Sequence, residues 1–375
     1  MGSIKLPPTS APIHFVKGRG TGSSTGSRFD RWTRETDLDE FDRDTDRLEA
    51  APVRTTVTER IARSIISRND SPDIPFDRSL NPYAGCEHGC IYCYARPTHA
   101  WLGLSPGLDF ETRLYAKTNA AALLRVELSR PGYTPALIAL GANTDPYQPI
   151  EREYGLSRAL LEVLSAFNHP VGVTTKSALV ARDIDLLAPM AAKGLARVFM
   201  SIGTLDPALA RVMDPRAPSP QRRMDAVRKL ADAGIPVGVL VSPIIPAIND
   251  KELEAVLAAA AEAGASTAGY VMLRLPLEVR ELFVQWLEQH FPLRAAHVMS
   301  LVRQMHDGVD YDPTYGARMR GSGVHADLVE QRFRLAARRL GLDQDRTPLD
   351  ATQFRVPRDD GGQLGLFDQH AEASN

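Results

Sequence analysis

Between about residues 78 and 275 the chain alternates short apolar, β-rich runs with longer runs of helical spacing. This alternation constrains the fold more than any other feature. Strands are predicted at 136–141, 171–175, 197–202, 236–241 and 268–273. Helices are predicted between them at 156–167, 184–193, 221–233 and 251–263. Gly194, Gly234 and Gly264 fall where helix C-terminal glycines belong. Strands that alternate with helices pair in parallel, because each helix carries the chain back to the same end of the sheet. With a further strand just before Cys86, about six strand–helix units fit, in a sheet that is open or closed into a barrel.

The remainder divides around that core. Residues 1–50 are expected to be a disordered arm, because the Gly-, Ser- and Thr-rich stretch 17–34 and the acidic run after it offer little apolar surface to offset ordering entropy. Lys17, Arg19, Arg28, Arg31 and Arg34 also permit a basic arm that touches nucleic acid. Residues 51–275 form the expected barrel domain, 276–342 a helical extension packed on it, and 343–375 a mobile tail. Within the extension, 279–290 and 327–340 have helical spacing, and 307–324 is a Gly-, Tyr- and Arg-rich loop. At a net charge of −2 the 375-residue chain has no global pull toward nucleic acid or a membrane surface. No apolar run reaches the roughly 18–20 residues of a membrane span. The N-terminus lacks a secretory pattern, and the expected location is cytoplasmic.

All three cysteines lie within eight residues, in Cys86-x-x-x-Cys90-x-x-Cys93. An odd, clustered set argues against a disulfide framework and for a reduced compartment. Thiolates are soft anionic ligands for iron or zinc. A structural zinc site needs four ligands, which His88 or His99 would have to complete. Three thiolates on a [4Fe–4S] cluster instead leave one iron open to a small molecule, whereas simple electron-transfer clusters have four cysteines.

Three cysteines at this spacing, with Tyr92 just before the last, resemble the signature of the radical S-adenosylmethionine (SAM) superfamily. The chain is further similar to the spore photoproduct lyase-like branch, and within it to an uncharacterised bacterial group. The matching segments include residues 69–76, 95–99, 144–151, 175–177, 213–217 and 273–276. The resemblance covers about 55–342; Ala84, where arginine is expected, departs from it. It implies a partial (β/α)6 TIM-like barrel of the radical SAM type with a mostly helical C-terminal extension. It also implies a [4Fe–4S] cluster on Cys86, Cys90 and Cys93, and a SAM molecule reductively cleaved to a 5′-deoxyadenosyl radical that abstracts hydrogen.

In parallel strand–helix folds ligands sit at the carboxyl ends of strands, and the residues there are polar. By resemblance, Lys176 pairs with the SAM carboxylate, Ser201 and Thr204 bond its ribose or amino-acid part, Tyr92 lies near the adenine, and Thr144 and Asp145 serve the amino group. The local alternative for the hydroxyl residues is capping and turn chemistry. The lyases of this branch carry a further cysteine that returns a hydrogen atom; its expected place is Ala142 or Asn143. Tyr94 and Tyr147 are the candidates to replace it. Arg216, Arg274, His306, Tyr311, Arg318 and Arg320 are candidate substrate contacts, and the 307–324 loop is expected to close the open side of the barrel.

Gln363, Leu364, Leu366 and Phe367 resemble the short peptide by which bacterial repair proteins bind the DNA sliding clamp, with large apolar anchors on a tail. Three readings follow: a radical SAM enzyme acting on a DNA lesion or nucleotide, one modifying RNA, a peptide or a metabolite, and a non-catalytic Fe–S or zinc module. The first two require an external electron donor of the flavodoxin or ferredoxin type.

Overall fold

The computed structural model describes residues 18–22, 24–29, 53–343 and 347–357. Ten strands run along the described chain: β1 (Thr56–Arg60), β2 (Ile66–Arg68), β3 (Arg78–Leu80), β4 (Tyr83–Ala84), β5 (Arg113–Lys117), β6 (Ile138–Leu140), β7 (Val171–Thr175), β8 (Ala196–Ser201), β9 (Val237–Ile244) and β10 (Thr267–Met272). Seven of them form one sheet in the order β10-β9-β8-β7-β6-β3-β2. From β3 to β10 six strands make five parallel pairings, and β2 adds an antiparallel edge. Among the described residues no pairing joins β10 to β2 or β3, so this is the expected partial barrel. The register is set by buried faces: Val171 lies opposite Ile138 on one side and Ala196 on the other, and all three are buried.

The connecting helices form where apolar residues recur every three to four positions. In the helix Leu156–Ala166, Leu160, Leu161 and Leu164 point inward and are fully buried. The helix Pro220–Asp232 starts with Ser219, whose side chain accepts from the Arg222 N–H, and has proline at its first position, where a missing N–H costs nothing. The extension adds the helices Glu278–His290, Ala295–Gln304 and Gly323–Arg339. The last of these lays Phe333 against Tyr270 of β10, at 4.8 Å between ring centroids.

A second sheet, β1-β5-β4, is absent from the sequence expectation. Its strands are short and, in β1, mostly exposed, so apolar alternation does not mark them. It nevertheless fixes the start of the cysteine segment, because β4 pairs with β5 two residues before Cys86.

Two stretches expected to be free are docked where described. In the N-terminal arm, Arg19 donates to the carbonyls of Glu111 and Val53 and to Thr55. Arg28 forms a two-oxygen contact with Glu278 and lies over Phe29 and Trp101. These two charges, read as solvated or as contacts for nucleic acid, thus have internal partners. At the other end, Asp350 N bonds Gly194 O, Arg355 N bonds Phe167 O, and Phe354 packs among Tyr133, Phe167 and His169. Residues 347–357 therefore line the amino ends of the strands. Gln363, Leu364, Leu366 and Phe367 lie outside the described residues.

Residues 307–324 do span the open flank. Arg318 donates to Asp73 and Ser71 in the β2–β3 connection, Gly316 N donates to Asp73, and the Arg320 guanidinium lies 4.0 Å from the Tyr270 ring centroid on β10.

Candidate functional site

The cysteine segment leaves β4 at the carboxyl end of β3 and is built from tight turns. Cys86 N bonds Phe110 O, Gly89 N bonds Cys86 O, and Cys93 N bonds Cys90 O. Gly89 takes a positive φ, and a Cβ there would meet the Glu111 carboxylate at 2.6 Å, so only glycine fits. Arg96, fully buried, binds the segment from behind. Its five N–H donors reach Cys90 O, Gly89 O, Pro106 O, Gly107 O and the Glu111 carboxylate, the last at 2.6 Å. Gln148 holds the other side, accepting from Glu87 N and donating to Gly85 O. The 213–216 segment completes the clamp: Ile91 N bonds Met213 O, Arg216 N bonds His88 O, and the Arg216 guanidinium pairs with Glu87 at 3.1 Å.

Cys86 and Cys90 are buried, Cys93 is half-buried, and all three are free thiols. Cys93 packs against the apolar groups around both of the others. Burial pushes the Cys90 thiol well up, with Asp214 adding to it and Lys176 opposing. Among the described residues no three Cys, His, Asp or Glu side chains converge on one ion. His99 Nε2 is 3.0 Å from Arg113 O, whereas His88 lies between Asp145, 3.3 Å from its Nδ1, and the Cys86 thiol. Three free thiols on one loop, with Lys176 beside Cys90 and no fourth cysteine in the sequence, fit a cubane cluster with one open iron better than a four-ligand zinc site.

The polar ring at the strand ends separates into anchored and available groups. Gly141, at the end of β6, has φ +93°, and a Cβ there would lie 2.5 Å from Thr174 O and Pro146. This lets the 142–146 turn fold onto β7. Thr144 donates to Tyr83 O and is buried. Asp145 accepts from Thr175 Oγ1, Lys176 N and Tyr147 N. Burial alone would raise its pKa; His88 and the donated hydrogen bonds reverse this and bring it to about 2. Both residues are thus occupied internally. Ser201 Oγ makes one long contact, 3.3 Å to Ser242 O. Thr204 bonds Glu252 and accepts from Asp206 N, the local turn chemistry weighed as its alternative.

Lys176 is different. It has no ion-pair partner among the described residues, and its ammonium stands 5.6 Å from the Tyr92 ring centroid. Burial disfavours its charge, but Cys90 and Asp214 more than compensate and hold its pKa above the ordinary range. Tyr92 is buried and donates to Asp214 at 2.5 Å; Arg223 grips the second Asp214 oxygen at 3.0 Å and also donates to Ser201 O.

Tyr94 projects into the mouth, 46% exposed, with its hydroxyl on Ala142 O and the Arg274 guanidinium 5.1 Å from its ring centroid. Tyr147 is not gathered with the cysteines. It is 1% exposed and its hydroxyl bonds Asp183, so it has no path to a substrate. Arg96, Glu111, Gln148, Asp214 and Arg223 were missed as site residues. Arg96, Gln148 and Asp214 lie in the segments that carry the family resemblance, which was their available signal. Arg223 sits on a helix rich in charges and gave none.

A cysteine loop at the mouth of a six-stranded parallel half-barrel defines the radical SAM class of fold. Residues 80–260 match the family model of the radical SAM superfamily. The chain is 36% identical over 249 residues to an uncharacterized protein of Mycobacterium tuberculosis, covering 66% of this chain and 72% of that one. Its fold resembles spore photoproduct lyase complexed with dinucleoside spore photoproduct, with a TM-score of 0.53 and 17% identity over 76% of this chain and 79% of that one. A substituted form of the lyase with bound AdoMet and dinucleoside spore photoproduct also gives 0.53, at 18% identity and the same coverage. The chain belongs to the radical SAM superfamily, whose members are enzymes that use a [4Fe–4S] cluster and SAM and need an electron donor.

Proposed function

We propose that this protein holds a [4Fe–4S] cluster on Cys86, Cys90 and Cys93, binds SAM across the strand ends, and acts on a nucleotide or a DNA lesion. The observation that carries the cofactor reading is the unpaired Lys176 ammonium beside three free thiols on a clamped loop. Cluster and SAM, when bound, supply an electron and a 5′-deoxyadenosyl radical that abstracts hydrogen. Lys176 binds the SAM carboxylate as a point cation. Tyr92, locked by Asp214, is placed to border the adenine, and Ser201 to reach the ribose. Thr204, bonded to Glu252, shapes that edge. Thr144 and Asp145, occupied internally, position the β6 and β7 turns rather than touching SAM.

The sequence has no fourth cysteine to return hydrogen to a product radical. Tyr94 takes that task in this reading, supported by its exposure at the mouth one residue after Cys93. The electron donor is a flavodoxin or ferredoxin type protein. The sliding clamp, through Gln363, Leu364, Leu366 and Phe367, is a candidate partner that would bring the enzyme to DNA.

Anaerobic reconstitution with iron and sulfide, reduction, and assay of 5′-deoxyadenosine test the cofactor reading. Formation of 5′-deoxyadenosine in wild type and its loss in Lys176→Ala are expected. Iron incorporation without any SAM cleavage in wild type would leave only the non-catalytic module.

A further inference from the structure

Arg274 lies two residues beyond the end of β10, at the barrel mouth. Other arginines of this region pair with carboxylates, Arg318 with Asp73 and Arg280 and Arg303 with Asp310, while Arg320 lies over the Tyr270 ring. Arg274 has no carboxylate partner among the described residues. Asp73 feels its charge, but the Asp73 carboxylate is already taken by Gly316 N and Arg318. One Arg274 donor, Nη2, reaches the Tyr311 hydroxyl at 3.2 Å, while its Nε is buried without a partner. Behind Tyr311, at 6.4 Å between ring centroids, His306 is 1% exposed. The Leu273 carbonyl is the polar group beside its ring. A buried guanidinium donor left unmatched, as Arg274 Nε is, is costly, and an anion that enters the mouth would match it.

We propose that Arg274, Tyr311 and Tyr94, backed by His306, form a subsite for one nucleotide of a single-stranded or locally opened nucleic acid, with Arg274 on its phosphate. This rests on the nucleotide reading above and deepens it. The chemistry comes from the pairing of two groups. A guanidinium fork without a carboxylate matches a phosphate in geometry and charge. A half-exposed aromatic ring 5 Å away supplies a stacking surface for the attached base. Base and phosphate are held together in a nucleotide as these two side chains are held together here. Because Tyr94 follows Cys93 directly, the bound nucleotide lies beside the cofactor site. The loop 307–324 carries Tyr311 and so delivers the hydroxyl that orients the guanidinium.

Binding of a fluorescein-labelled single-stranded deoxyoligonucleotide to the full-length reconstituted protein, followed by anisotropy over a sodium chloride series, tests this. Arg274→Gln should weaken binding at least about tenfold, as for loss of a charged hydrogen bond. It should also lower the slope of log K against log salt by about 0.7, the share of one phosphate on a single strand. Tyr94→Ala should weaken binding with the slope unchanged. Tyr311→Phe keeps the charge and removes its hydroxyl partner; it should cost about fivefold with the slope unchanged. Wild-type affinity and slope in Arg274→Gln, or in Tyr94→Ala and Tyr311→Phe together where Arg274→Gln fails to retain iron, would overturn the subsite. Absence of oligonucleotide binding by wild type would instead overturn the nucleotide reading itself, and the subsite with it.

Discussion

The two flanks of the barrel mouth treat their polar groups in opposite ways. On the cysteine flank every donor of Arg96 is used, Gln148 and Asp145 are occupied on both sides, and the 213–216 segment is bonded to the loop at two backbone positions. On the β10 flank Arg274 lacks a carboxylate among the described residues and its Nε lacks a partner, and it faces Tyr94, which reaches half-exposed from the cysteine loop. A loop that must hold a cluster in one geometry is best prepared in advance, so its carbonyls are met by donors within the protein, though the buried His99 Nδ1 beside it stays unmatched. A surface that must accept a substrate keeps its donors unspent until the ligand arrives. Lys176 and Tyr92 stand at the boundary, one available and one locked.

The comparison can be broken most directly at the thiols. Cys86→Ala, Cys90→Ala or Cys93→Ala should each abolish the iron-dependent visible absorption of the reconstituted protein. A wild-type spectrum from any one would remove that residue from the ligand set. Next in size, Arg96→Leu removes the charged partner of the buried Glu111 carboxylate and the side-chain donor to two loop carbonyls. Breaking such a buried pair from one side costs about 3–5 kcal/mol, which urea unfolding of the iron-free chain measures. A loss below about 1 kcal/mol would mean that the cysteine flank is not held as described.

A finer cut is Asp214→Asn, which keeps the shape but weakens the hold on Tyr92 and Arg223. Iron content should stay near wild type while 5′-deoxyadenosine formation falls about 10–100-fold, the usual range for a residue supporting a site ligand. Equal rates would make Asp214 a packing residue only. The smallest effect belongs to the open flank. Arg318→Ala removes the tie from the 307–324 segment to Asp73 and Ser71, so limited proteolysis should cut this segment faster while the barrel core resists. An unchanged digestion rate would show that other contacts fasten it.

Much of the barrel was legible. Strand β7 spans 171–175 in both the sequence expectation and the structure, and the helices at 156, 184, 220 and 253 begin within two residues of their expected starts. Periodicity is local, and these segments are buried along one face, so the signal survives in a single sequence. The helix Ala295–Gln304 and the β1-β5-β4 sheet were not anticipated. β1 is mostly exposed and carries little apolar pattern. The sequence expectation singled out Cys86, Cys90, Cys93 and Lys176, and the fold brings Lys176 beside Cys90, because spacing and position after a strand are sequence properties. It was illegible at Arg223, and the packing of Tyr147 was not foreseen. A charged residue on a helix and a tyrosine in a turn look alike whether they face water or a buried partner.

The sequence by itself determined the strand–helix repeat and placed three thiols within reach of one cluster, because both follow from the order of neighbouring residues. Only the tertiary structure decided which charges lose water and to whom they bind. Arg19 meets Glu111 across 92 residues, and Arg28 meets Glu278 across 250. Such pairs exist only where the folded path brings two groups together and excludes solvent. The same path leaves Arg274 at the mouth with no carboxylate partner among the described residues.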